Sequence, residues 1–446
     1  MPGAVSDHRL LTGWGRTAPT ASDVRPLSDA EAVFAAQPDR GVLARGLGRS
    51  YGDAAQNAGG TILDATSHDE LVTLDPDTGL VRVSSGISID RLIRRLVPHG
   101  YFVPVTPGTR FVTVGGAIAS DIHGKNHHVA GSFCSHVRSM TVVTPVGTLT
   151  VDPVSEPELF WATAGGMGLT GVVTDATVAM PRIGSARLAV DTDRTDDLDG
   201  VLALMTGGDD RYHYSVAWID CLARGRHLGR SVLTRGDFAD DGDLGYEAAV
   251  RIDTPPVFPS GLVNPLTIRV FNEAVYRKAP RHRVGELQTI PQFFHPLDGV
   301  GHWNRLYGRR GFLQWQILVP FGEEETLRRI IERLAGAGVG SPVAVLKRFG
   351  PGDPGPLSFP APGWTLALDL AIVPHLASLL DELDDDVVAA GGRIYLAKDS
   401  RVRRALVPTM YPRLNEWRRV RDRVDPDGVL VSDLDRRLDL TGHHSR

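Results

Sequence analysis

Pro107–His128 reads PGTRFVTVGGAIASDIHGKNHH: a glycine turn, an apolar run around a Gly-Gly pair, then imidazole and ammonium side chains in quick succession. Gly115 and Gly116 have no Cβ, so the backbone there can lie directly against a bulky planar or phosphate-bearing ligand. His123 and Lys125 follow at once and supply polar donors beside that surface. The plainer alternative is a tight bend leading into a solvated histidine loop, because glycine builds turns of every kind.

Two more glycine segments flank this one. Ala44–Asp53, ARGLGRSYGD, follows the apolar Gly41-Val42-Leu43. Backbone N–H groups in such a turn can converge on an anion such as a pyrophosphate. The dinucleotide fingerprint G-x-G-x-x-G opens a helix. Here Gly46, Gly48 and Gly52 are spaced one residue too wide, and Asp53 to Gly60 reads as loop, which disfavours a Rossmann site. Ala164–Val173, AGGMGLTGVV, leads into an alternating strand, Thr174 to Val178. Ahead of it, Ser155 and Glu158 are spaced as an S-x-x-E capping box for a short helix through Leu159, Phe160 and Trp161. Three glycine turns separated by β-rich sequence predict a cofactor wrapped by loops, not one seated on a single βαβ unit.

These segments resemble the vanillyl-alcohol-oxidase type of FAD-binding flavoproteins, most of all the branch of decaprenylphosphoryl-ribose 2'-oxidases. The likeness continues through FLQWQ (Phe312–Gln316), VLKRFGPG (Val345–Gly352), LSFPAPGW (Leu357–Trp364) and GGRIYLAKDS (Gly391–Ser400), and so covers nearly the whole chain. It implies an α+β, two-domain PCMH-type FAD-binding fold. A discontinuous FAD domain, residues 1–184 and 393–446, would enclose a central antiparallel-sheet substrate domain, residues 185–392. FAD would be held by Arg45, Gly46, Leu47, Gly48, Arg49, Ser50, Tyr51, Gly52, Asp53 and Gly108. The same role falls to Thr113, Val114, Gly115, Gly116, Ser120, Asp121, Ile122, His123, Val173 and Tyr395. Many relatives tether the flavin through a histidine in the first glycine loop. Gly48-Arg49-Ser50-Tyr51 has none, so non-covalent FAD is expected.

The same resemblance implies Lys398, His123 and Tyr51 as catalytic residues. It makes Lys125, Trp218, Gln314, Gln316, Lys347, Thr365 and Ala367 substrate-binding, with no metal. Ala367 stands where the family often has a cysteine, and Thr365 where an asparagine is common. An alanine cannot act as a thiol nucleophile but leaves room for a sugar. The implied reaction is oxidation of the ribose 2'-hydroxyl of a polyprenylphosphoryl ribose. An NAD(P)H-dependent short-chain reductase would then complete epimerisation to an arabinose donor for cell-wall arabinan. The alternative is an oxidase of a soluble sugar, alditol or nucleoside; a scaffold with vestigial flavin binding is the least favoured.

Strand alternation sorts the side chains into faces. In FLQWQILV, Leu313, Trp315, Ile317 and Val319 point one way, Gln314 and Gln316 the other. Lys347 shares its face with Val343 and Val345; Thr365, Ala367 and Asp369 share another. Such a polar face could floor a sugar site or simply meet solvent. Lys398 has two candidate roles: neutral, it takes a hydroxyl proton; charged, it stabilises reduced flavin. The bland alternative pairs it with Asp399 or another carboxylate.

Bulk properties narrow the remaining classes. The 446 residues are 42% hydrophobic with a formal net charge of −5, which gives no reason to expect nucleic-acid binding. Two cysteines, Cys134 and Cys221, exclude a disulfide framework. The N-terminus lacks the apolar core of a Sec leader, and no window approaches the roughly 18 apolar residues of a membrane span. A cytoplasmic or peripheral membrane location is therefore expected, with periplasmic placement, as in the family, also open. Ser88 to Val97 and Glu323 to Ala335 show helical spacing. Arg251 to Val300 is proline-rich without clean periodicity, readable as a mobile cover that touches lipid or as a packed irregular excursion. Tyr411 to Val424, with Arg413, Arg418, Arg419, Arg421 and Arg423, is either a solvated face or a lipid-binding helix.

Overall fold

A computed structural model describes residues 7–444, so the first six residues of the stretch read for a leader lie outside it. The first glycine loop leaves the end of a buried parallel strand. Val42–Arg45 runs beside Thr61–Asp64, which pairs in turn with Thr20–Pro26 and then Asp7–Leu11. Val42, Leu43 and Leu63 are buried, as parallel strands covered on both sides require. The free edge of Val42–Arg45 is taken by the far end of the chain: Val42 donates to the Val429 carbonyl and Val431 donates to that of Val42.

The second and third glycine segments border a five-stranded antiparallel sheet. Its order is Leu71–Leu74, Leu80–Ser84, Val172–Ala179, Val137–Thr144, Gly147–Val151. Ile89–Leu96 is the helix expected from its spacing, capped by the Ser88 hydroxyl, which accepts from the Arg91 amide. Its buried stripe is Ile89, Leu92, Ile93 and Leu96. The Gly-Gly segment is the first turn of a second helix, Val114–Ala119, capped by Thr113.

Between these parts lies an eight-stranded sheet whose neighbours all run antiparallel. Its order is His282–Thr289, Arg187–Thr195, Ser231–Phe238, Tyr214–Ile219, Ala344–Phe349, Gly363–Ala371, Phe312–Pro320, Arg393–Ile394. Leu198–Gly208, Glu324–Ala337 and Leu376–Ala389 back one face. Trp315, on that side, donates its indole N–H to buried Asp384 of the last of these helices. The fold is α+β with two units, and Arg393–Ile394 closes the large sheet before the chain returns to the first unit.

Three local expectations need correction. The Ser155/Glu158 capping box does not form: the Ser155 hydroxyl bonds Asp152 and Glu158 pairs with Arg423. Pro157 at the first helical position sets the backbone there, and Glu156 makes no side-chain cap. The 251–300 region is not an irregular loop throughout. It holds the helix Pro265–Lys278, with an Asn264 capping box, and the edge strand His282–Thr289. Its periodicity was hidden because Leu266, Val270 and Phe271 are apolar and exposed, while only Ile268 and Asn272 are buried on that helix. The basic C-terminal helix, Leu414–Val424, is only in part a solvated face: Arg413, Arg419 and Arg423 are exposed, but Arg421 and Arg418 are taken up by the protein. Arg421 is fully buried on Asp425, Arg418 bonds the Leu440 and Asp439 carbonyls, and Arg413 and Arg423 pair with Glu416 and Glu158.

Candidate functional site

A cavity of about 670 Å³ runs from the first glycine loop to the polar face of the large sheet. That is within the usual range for small-molecule sites. At one end the strand Val42–Arg45 delivers the Gly46–Ser50 loop. Among the described residues, the amide N–H groups of Gly46 to Ser50 have no protein acceptor. Arg45 fastens the loop from behind through the carbonyls of Ala55 and Thr12, at 2.6 and 2.7 Å. Gly46 lies so close to Thr113 that a Cβ there would sit 2.2 Å from Oγ1. That oxygen already accepts the Gly116 amide at 3.2 Å, so the first loop and the Gly-Gly helix are packed as one piece. A Cβ on Gly108 would instead meet only open space.

The histidines are not a solvated loop. His123 and His127 are buried, the latter against Phe349 with Nδ1 accepting the Gly350 amide. His123 Nε2 lies 2.8 Å from the Gln316 amide nitrogen, which also donates to Thr365 Oγ1 at 3.1 Å. Burial first, then Lys347, His127 and Lys398, hold the His123 pKa well below its ordinary value, so the ring is neutral. With the Gln316 amide oriented this way, His123 carries its proton on Nδ1, and Nδ1 has no partner in the protein.

Three lysines line the opposite wall. Lys398 lies 4.0 Å from the centre of the Tyr51 ring. Burial lowers its pKa to about 7, with Asp369 opposing the shift and Lys347 reinforcing it. Burial raises Asp369 to about 7, opposed by the Gln314 hydrogen bond and by Lys398. The two groups titrate as a pair. Burial and Lys347 bring Lys125 to about 7, and burial alone brings Lys347 to about 8. Each ammonium group touches the cavity, not bulk water, which is why it is partly accessible and still strongly desolvated. Tyr51, encased beside Gln314, has its phenol raised far above its ordinary range, by burial first. Asp399 is not the partner of Lys398; it is engaged by Arg437.

Most of the expected residues converge here. Arg45 through Tyr51, Gly108, Thr113, Gly115, Gly116, Ser120, Ile122, His123, Val173 and Tyr395 line the cavity. So do Lys125, Trp218, Gln314, Gln316, Lys347, Ala367 and Lys398. Five stand behind it. Gly52 packs on the Asp399 carbonyl, where a Cβ would sit at 2.0 Å, and Asp53 pairs with Arg437. Val114 is in the core, Asp121 accepts from the Cys134 amide and the Ser358 hydroxyl, and Thr365 orients Gln316. Sequence reasoning missed Asp369 as a site residue, although alternation had put it on the face of Thr365 and Ala367. It also missed Gln292, Phe293, Phe294 and Leu297, which roof the cavity and whose segment carries no periodic signal. That roof is latched by Asp298, which accepts from the Thr109 hydroxyl and the Arg110 amide, and by His295 against Thr106.

The chain is 45% identical to the decaprenylphosphoryl-beta-D-ribose oxidase of Mycolicibacterium smegmatis, over 97% of its own length and 98% of that protein's. It belongs to the decaprenylphosphoryl-beta-D-ribose oxidase family. An uncharacterised protein of Streptomyces coelicolor, from the mprA 5' region, is 42% identical over 79% of the chain and its own full length. Residues 29–152 match the FAD binding domain family, and residues 374–438 match the D-arabinono-1,4-lactone oxidase family. The D-lactate dehydrogenase of Anaerostipes hadrus is similar at 29% identity over only 28% of the chain.

A chain of the decaprenylphosphoryl-beta-D-ribose oxidase family is an FAD-dependent oxidoreductase, and the residues present fit that cofactor. The matched FAD segment contains the first two glycine loops. The free amides of Gly46 to Ser50 suit a pyrophosphate. Arg49 Nε, Ser85 Oγ and His123 Nδ1 are buried polar atoms without a protein partner, at the cavity wall. Gly46→Ala is expected to push the first loop off Thr113 and strip the cofactor. The ratio of flavin to protein absorbance after purification should fall at least several-fold; full occupancy would refute the close-packing argument.

Proposed function

We propose that this protein oxidises the 2'-hydroxyl of a polyprenylphosphoryl ribose to a ketone. An NAD(P)H-dependent short-chain reductase would then complete epimerisation to arabinose for cell-wall arabinan. The observation that carries the reading is one cavity joining glycine loops of FAD type to a wall of Gln314, Gln316, Lys347 and Lys398. The similarity to the decaprenylphosphoryl-beta-D-ribose oxidase of Mycolicibacterium smegmatis supports the substrate. FAD, when bound, accepts the hydride. Residues 1–184 and 393–446 would hold it without a covalent bond, since the first loop has no histidine, and residues 185–392 would hold the sugar.

Lys398 takes the hydroxyl proton. Its pKa of about 7 leaves it largely neutral at mildly alkaline pH, near the optimum for a general base. Asp369 steadies the ammonium that results, and neutral His123 and Gln316 orient the sugar. Tyr51 positions the Lys398 amino group over its ring. A second reading, oxidation of a soluble sugar or alditol, is favoured by the lactone-oxidase match at residues 374–438.

Peripheral membrane contact belongs to the same proposal. Ile252, Val257, Leu262, Leu266, Val270, Phe271, Val284 and Leu287 form a run of exposed apolar side chains on one excursion. Exposed Arg269, Lys278 and Arg281 lie among them. Such a surface suits an anionic bilayer, and Phe271 also lines the cavity. Among the described residues, no helix is long and apolar enough to cross a membrane.

Anaerobic flavin bleaching near 450 nm should follow addition of polyprenylphosphoryl ribose but not of free ribose or alditols; the reverse pattern would establish the second reading. Lys398→Met should slow bleaching by roughly 10²–10⁴-fold. The wild-type rate should rise with pH through about 7 as Lys398 loses its proton. Because the Asp369 carboxylate raises the Lys398 pKa, Asp369→Asn should move that limb to lower pH; an unmoved limb would remove Asp369 from the scheme. Acid precipitation should leave the yellow flavin in the supernatant. Sedimentation with phosphatidylglycerol vesicles should carry the protein down, and the exposed pair Leu266→Glu with Val270→Glu should release it. Equal sedimentation of both proteins would end the membrane assignment.

A further inference from the structure

The lining of the cavity holds Lys125, Lys347 and Lys398 but a single carboxylate, Asp369. Asp369 acts on Lys398; no carboxylate offsets the burial of Lys125 or Lys347. Among the described residues, neither of these two lysines forms an ion pair. Lys125 donates only to the Phe293 carbonyl and lies 4.3 Å from the centre of that ring. Lys347 is 5.8 Å from the centre of the Phe349 ring. An unpaired buried ammonium is costly, and Lys347 adds to the suppression of Lys125 ionisation. The cost falls away if an anion from outside the protein enters between them.

Strand order says which anion. Crossing the large sheet from one side, the cavity meets Gln314 and Gln316 on Phe312–Pro320, then Ala367 and Asp369 on Gly363–Ala371. Next come Lys347 and Val345 on Ala344–Phe349, then Val216 and Trp218 on Tyr214–Ile219, then Val232 and the lone polar Thr234 on Ser231–Phe238. The lining thus passes from amides, through a cation, to aliphatic and indole surface. Strands are spaced about 4.8 Å apart, so the Gln strand and the Lys347 strand lie roughly 10 Å apart. That leaves room for a furanose and the phosphate attached to it.

We propose that Lys125 and Lys347 form a binding site for a phosphodiester monoanion, set between the sugar pocket and an apolar channel for the prenyl chain. This rests on the oxidase reading above and deepens it: the site selects a phosphate-linked sugar over a neutral one.

The test uses the FAD-loaded enzyme and two probes without ribose, farnesyl methyl phosphate and the uncharged farnesyl methyl ether, with binding followed by titration calorimetry. The phosphodiester should bind at least about tenfold more tightly. The preference should vanish in Lys347→Met and in Lys125→Met and persist in Lys347→Arg, with flavin content and melting temperature reporting that each variant is folded. Equal affinity of the two probes for the wild-type protein would overturn the site, and so would a preference that survives both methionine variants. If polyprenylphosphoryl ribose bleaches the flavin while both probes bind alike, the phosphate site fails and the oxidase reading stands. If the phosphodiester is preferred but no bleaching follows, the reading fails and the anion site stands.

Discussion

Tyr51 donates its amide to the carbonyl of Ala397, and Gly52 lies against the carbonyl of Asp399 where no side chain would fit. This backbone-to-backbone contact joins the first glycine loop to the turn that carries Lys398. It sets the ammonium over the Tyr51 ring, and through Gly46 and Thr113 it fixes the Gly-Gly helix as well. Glycine matters here for the absence of a Cβ more than for flexibility. Segments far apart in sequence become one rigid wall because their main chains can touch.

A second constraint is electrostatic. Lysines that line an enclosed cavity lose hydration, and their ionisation weakens accordingly. The protein keeps such groups at the wall where a ligand would sit, and it compensates just one of them. A site of this kind is less stable than an apolar one of the same shape, and the instability is what a charged ligand relieves. The buried Arg421–Asp425 pair differs: both charges lie within the protein, and the carboxylate also accepts the Val429 and Leu430 amides, which ties down the segment that follows the helix.

Much of this was legible in the sequence because it depends on short-range rules. Alternation put Gln314 and Gln316 on one face of their strand, Thr365 with Ala367 and Asp369 on another, and Lys347 over the apolar face of Val343 and Val345. Helical spacing found Ile89–Leu96, and the wide spacing of the third glycine argued against a Rossmann loop. The failures come from competition that a single segment does not display. Ser155 had a nearer acceptor in Asp152, and Pro157 already fixed the helix start. The Pro265–Lys278 helix shows apolar residues on its outer face, so its period did not stand out. Asp369 is visible as a face residue, but its meaning depends on Lys398 arriving from a different strand connection, which only the fold supplies.

The exchange of hydrogen bonds between Val42 and the segment around Leu430 has a temporal side. During synthesis the strand bearing the first glycine loop emerges early and has one open edge. Its closing partner, around Leu430, is made only after every strand of the large sheet. The large sheet is finished before that segment exists, so the order of synthesis favours assembly from the middle outward. The edge beside the first glycine loop is thus closed by residues made after those of the large sheet.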